Sequence, residues 1–97
     1  MTTAPPYDVK VNGRYGAPMG RPCDLPDATT DKLYLRKVPF FDGDYDNGGA
    51  YWGGGVPGSL LYCAWDVEGR ATYVRAPNRD VAKKEVLKDA PGAKFFR

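Results

Sequence analysis

The sequence predicts an α+β domain: a small antiparallel sheet of three to four strands, one C-terminal helix and long ordered loops, in a single domain over residues 1–97. Three observations lead there. Two strand-like runs, Ser59–Asp66 and Ala71–Ala76, flank Val67-Glu68-Gly69-Arg70, which is a hairpin at ordinary loop length. Helix signals follow directly after the second run, from Asn78 to Pro91. Glycine and proline, 12 and 9 of 97 residues, break the rest of the chain into loops. Strong aliphatics are scarce, with six Leu, eight Val and no Ile, so seven Tyr, four Phe and two Trp must supply much of the core.

Along the chain, Tyr7–Val11 alternates like a strand. Residues 12–27 then read as loop, long enough to be either mobile or pinned for a purpose. Lys32–Phe41 is the next β-like run, and Pro39, with no N–H to donate, places it at an edge or ends it there. From Phe40 to Gly58 the chain holds seven of its glycines, three aspartates and no basic residue. In the hairpin, Leu61, Cys63 and Trp65 share one face, and Leu60, Tyr62 and Ala64 share the other. Both sets hold large apolar groups, so both faces need covers: the helix on one and the long N-terminal loop on the other. The helix starts at an Asn78 cap, favours Asp80 in its first turn and Lys88 near its end, and aligns Ala82, Val86 and Ala90 on one stripe. Pro91-Gly92 stops it, and residues 93–97 form a short aromatic tail.

Composition excludes whole classes of chemistry. There is no His, and Ser59 is the only serine, so neither a Ser-His-Asp nor a Cys-His nucleophile can be assembled. Cys23 and Cys63 are too few for a zinc site, and with no export signal they are expected reduced, in the cytoplasm. No apolar stretch is long enough to span a membrane. Asp42, Asp44 and Asp46 alternate as cation ligands would, but an EF-hand needs Gly where Asn47 stands and Glu where Gly53 stands. The expected state is a solvated acidic turn, and nothing fixes the carboxylates at a catalytic separation. Gly48–Gly55 leads into Val56-Pro57 rather than Lys-Ser/Thr, so it is no phosphate loop. The chain is therefore expected to be no enzyme, with no cofactor and no metal.

Three fragments together resemble short uncharacterised proteins of bacteriophages and other bacterial mobile elements: Tyr15–Arg21 (YGAPMGR), Tyr45–Gly53 with its core GGAYWG, and Val74–Arg79 leading into the helix. The resemblance implies a bacterial cytosolic setting and an accessory role, and it carries no functional residue with it. Small phage proteins often occupy a surface of a host machine, as anti-CRISPR proteins do. The expected function is accordingly non-catalytic binding to a bacterial host protein or nucleoprotein complex, as an inhibitor of host defence. Such a surface uses aromatic and arginine anchors, and the candidates are Arg14, Arg21, Arg36, Tyr51 and Trp52. Tyr51 and Trp52 have two readings, as core or as exposed anchor, with core the better prior in a chain short of aliphatics. The alternative function is a small nucleic-acid-binding protein using Tyr or Trp with basic residues, for which Arg14, Arg21, Arg36, Lys37, Arg70, Arg75, Arg79, Lys83, Lys84 and Lys88 are all available. Against it stands a net charge of only +2. Finally, Arg14 and Arg21 are the nearest positive charges for Asp42, Asp44 and Asp46. The two loops are expected to dock through at least one surface Arg–Asp pair and to form the functional face.

Overall fold

Four strands line up in the order β5–β4–β1–β6, with one helix across a face. They are β1 (Lys32–Lys37), β4 (Leu60–Trp65), β5 (Ala71–Ala76) and β6 (Lys94–Phe95), and the helix α1 is Arg79–Asp89. A separate two-stranded pair joins β2 (Phe40–Phe41) to β3 (Tyr45–Asp46). The structure, a computed structural model, describes residues 5–8, 20–41, 44–53 and 59–96. This is the small α+β architecture expected, with one change of kind. The sheet is mostly antiparallel, but β6 runs parallel to β1, pairing Lys32 with Lys94 and Leu33 with Phe95. The aromatic tail thus contributes a strand.

The β4–β5 hairpin keeps full register from Leu60↔Ala76 to Trp65↔Ala71. Its turn is held by Asp66, whose buried carboxylate accepts the Glu68 and Arg70 amides at 3.0 and 2.9 Å. Gly69 takes φ +85°, the left-handed position that such a turn requires. Asp66 also meets the Arg70 guanidinium at 2.7 Å. On the other side, β4 pairs antiparallel with β1, Tyr34↔Trp65 through Lys37↔Tyr62. β1 ends at Lys37, before Pro39, as expected; it pairs with β4 through Tyr34–Lys37 and with β6 only through Lys32 and Leu33.

Strand alternation makes two cores. One face sets Leu33, Leu35, Tyr62, Ala64 and Ala76 against the helix stripe Ala82, Val86 and Ala90. Alanines on both sides suit a close approach of helix and sheet, and each buried leucine stabilises this core by about 1.5–3 kcal/mol. Asn78 caps the helix by accepting the Val81 amide at 2.9 Å. The other face sets Leu61, Cys63, Trp65 and Ala71 against Val38 and Tyr7, with Trp52, Tyr73, Phe40 and Tyr34 packed around them.

Two expectations change here. Pro6–Asp8 is a single 3-10 turn, not the start of a strand, and it places Tyr7 on the second core. Two adjacent prolines hold φ near −65°, which suits a helical turn better than extended chain. The rest of the expected strand, residues 9–11, lies outside the described residues. Among the described residues Tyr7 and Trp52 pack on the second face, and the chain after Arg21 is pinned elsewhere; residues 9–19 of the expected loop cover lie outside the described residues. Asp24 and Leu25 amides both donate to the Ala71 carbonyl, and the Ala28 amide donates to the Asp89 carbonyl. Leu25 accordingly packs on the helix side. Cys23 is exposed and Cys63 buried, and both are free thiols. Among the described residues no helix is long and apolar enough to cross a membrane.

Candidate functional site

The β3 arm turns back on itself through Asp46-Asn47-Gly48-Gly49-Ala50. Asp46 and Ala50 bond backbone to backbone, Gly49 takes φ +87°, and Tyr45 bridges Tyr51. Inside this turn the Asp46 carboxylate accepts five hydrogen bonds. Oδ1 takes the Gly48 and Ala50 amides and the Arg21 Nη2, each at 3.0 Å. Oδ2 takes the Arg21 Nε at 2.7 Å and the Trp52 indole N–H at 2.9 Å.

Arg21 and Asp46 thus form a two-pronged ion pair, and it is buried: their side chains are 6% and 0% exposed. Arg21 also donates to the carbonyls of Pro6 and Tyr7, at 3.2 and 2.9 Å. One guanidinium therefore ties the 3-10 turn to the glycine loop. Burial on its own would raise the Asp46 pKa, but hydrogen bonds from Arg21, Trp52 and the Ala50 amide, with the Arg21 charge, hold it below the usual 3.8. Burial likewise opposes the Arg21 charge, and Asp46 outweighs it, raising that pKa.

The expected Arg–Asp docking is thus present at Arg21–Asp46, as a buried pair rather than the surface pair expected. Asp46 is not a solvated carboxylate: its oxygens accept from two backbone amides, the Trp52 indole and the Arg21 guanidinium. Arg14 and Asp42 lie outside the described residues.

Tyr51 and Trp52 go opposite ways. Trp52 turns in, tilted 4.7 Å from the Tyr73 ring, and its six-membered ring lies over Gly20. A Cβ on Gly20 would sit 2.7 Å from the Trp52 Cζ3, and Gly20 has φ +74°. Behind it, burial pushes the Cys63 thiol up to about 12 and raises the Tyr73 hydroxyl, with which Cys63 shares a hydrogen bond. Tyr51 turns out. With Tyr45 it forms an exposed ring pair, 43% and 44% accessible and 5.1 Å apart.

Arg36 belongs to a second place altogether. It lines a groove of about 530 Å³ with Tyr34, Arg79, Lys83, Phe95 and Phe96. The groove exists because β6 brings the C-terminal aromatics beside β1, so that Phe96 stacks on Tyr34 at 4.3 Å and Tyr34 on Trp65 at 5.2 Å. Arg79 is fixed there by the carbonyls of Leu35 and Phe96. Lys32 lies over the Phe96 ring and Lys83 over Phe95.

Sequence reasoning did not nominate Tyr45. Its signal was the Asp46–Ala50 turn, which sets Tyr45 opposite Tyr51. Phe95 and Phe96 were equally missed, because a two-residue parallel strand leaves no periodic trace. No protein-family model, curated protein or solved structure matches the chain.

Proposed function

We propose that this chain is a non-catalytic accessory protein of a bacteriophage or mobile element that acts by binding a bacterial host protein, as an inhibitor of a defence complex would. One observation carries the reading: Tyr45 and Tyr51 stand exposed as a ring pair on a turn locked from beneath by the buried Arg21–Asp46 pair. Tyrosines are efficient anchors because they offer large area for few rotatable bonds. A turn ordered before binding loses little entropy on docking. In this reading Arg21 and Trp52 position the surface, and Tyr45 and Tyr51 make the contact. The absence of His from the chain supports a role without a His-activated nucleophile.

The test is a pull-down from bacterial lysate with the wild-type chain and the Tyr45→Ala/Tyr51→Ala double variant, read by mass spectrometry. A stoichiometric host protein held by the wild type and lost by the folded double variant is the expected result. Equal recovery by both, or no stoichiometric protein with either, overturns it.

A further inference from the structure

The groove between β1, β6 and α1 is separate from the tyrosine surface, and its charge is unbalanced. Arg36, Arg79 and Lys83 line it, and Lys32 sits beside it over Phe96. Among the described residues the ion pairs all lie elsewhere: Asp46 with Arg21, Asp31, Asp66 and Glu68 with Arg70, and Glu85 with Lys88. Among the described residues no carboxylate side chain lines the groove. Lys32 and Lys94 even face each other as strand partners, a like-charge pairing that opposes folding. Arg79 is half-buried and held by two carbonyls, which fix its plane without neutralising its charge. A fixed, unneutralised guanidinium flanked by two further cations is built to receive anionic oxygens.

The walls say which anion. Tyr34, Phe95 and Phe96 are partly exposed rings, and lysine ammoniums rest on two of them. Phe95 belongs to the helix side of the sheet and Phe96 to the Tyr34 side, so the groove runs around the sheet edge between them. We propose that this groove binds single-stranded nucleic acid, with phosphates on Arg36, Arg79 and Lys83 and successive bases against the Phe95 and Phe96 rings. Lys32 and Lys83 cover the ring faces in the free protein. On binding, a base takes that place and the ammonium moves to the adjoining phosphate. A duplex keeps its base faces stacked inside and has nothing to set against these rings. An acidic peptide would satisfy the cations and leave the rings unused. The inference stands apart from the protein-binding reading, which uses neither these residues nor this face.

The test is fluorescence polarisation with labelled oligo(dT) and oligo(U) strands of about 16 nucleotides, a duplex of the same length, and a polyglutamate peptide. Both strands should bind more tightly than duplex or peptide, and any preference between them separates DNA from RNA as the source. Each phosphate contact should contribute a slope of about −0.7 to log K against log salt. Arg36→Gln and Lys83→Gln should each weaken binding about tenfold and flatten that slope by roughly one contact. Phe95→Leu should weaken it with the slope unchanged. Arg79 is part of the fold, so its replacement is not the deciding variant. No strand binding at low salt, equal or tighter binding of duplex or polyglutamate, or Arg36→Gln and Lys83→Gln variants that bind like wild type, overturns the proposal.

Discussion

Asp46 and Asp66 occupy the same position in two copies of one turn. Each buried carboxylate accepts the amides two and four residues on, each carbonyl accepts the amide three residues on, and that residue is a left-handed glycine, Gly49 or Gly69. They differ in the source of the guanidinium. Asp66 takes it from Arg70 within its own turn, whereas the equivalent residue after Asp46 is Ala50, and Arg21 reaches in from another loop. The first turn therefore depends on tertiary structure, and the second is self-contained.

Arg21→Ala should accordingly be far worse than Arg70→Ala. Removing one member of a buried pair costs about 3–5 kcal/mol, a large share of the roughly 5–15 kcal/mol that holds a typical domain. Arg70 is partly in water and should cost much less. Urea titrations of both variants check the order, and equal losses would contradict the burial of Arg21.

Acid should act through Asp46. Its folded pKa lies below 3.8, so its contribution is complete above that value and is lost as pH falls through the lower folded one. Asp46→Asn should be less stable than wild type near neutrality and should show a flatter loss of stability below about pH 4. Denaturant midpoints measured across that range provide the check; parallel acid limbs would mean that Asp46 does not titrate as described.

Gly20→Ala and Gly69→Ala separate backbone strain from collision. Both place a side chain at positive φ, which costs roughly 1–2 kcal/mol. At Gly69 a new Cβ meets nothing within 4 Å, whereas at Gly20 it meets the Trp52 ring, which Asp46 holds in place. Gly20→Ala should therefore be the more damaging by thermal melting, and should also change Trp fluorescence.

The two thiols should report on different events. Cys23 is exposed and should react promptly with an aromatic disulfide reagent, whereas Cys63 is buried, its thiol pushed up to about 12. In the native protein one thiol should titrate quickly and the second only at the rate of structural opening. Two fast thiols would show that the Cys63 side of the sheet is open.

Much of this was legible where the code is local. Leu60–Trp65 and Ala71–Ala76 could be read because a Gly-containing turn joins two alternating runs, and α1 because Asn78 and Pro91-Gly92 mark its ends. The Arg21–Asp46 pair could be anticipated because the aspartates of that loop have no base nearby in sequence. Its burial could not, since it follows from Trp52 and Tyr7 closing over the pair. Tyr7 itself was misread because its alternation with Val9 outweighed the two prolines before it. The basic groove was out of reach because Arg36 and Arg79 meet Phe95 and Phe96 only once β6 has joined β1.

That long-range joining bears on the order of folding. β1 acquires β6 as its neighbour across more than half the chain, and Phe96 completes the Trp65–Tyr34–Phe96 stack. The hairpin, the helix and the Arg21–Asp46 lock contain no residue of β6 and can form before it joins. Until then the β6 side of Lys32–Leu33 is an open strand edge, and Tyr34 lacks the ring that stacks on it. Species in which β6 has not yet joined β1 should therefore be the ones most exposed to chaperones and to edge-to-edge association. Addition of β6 completes the sheet and assembles the groove in one step.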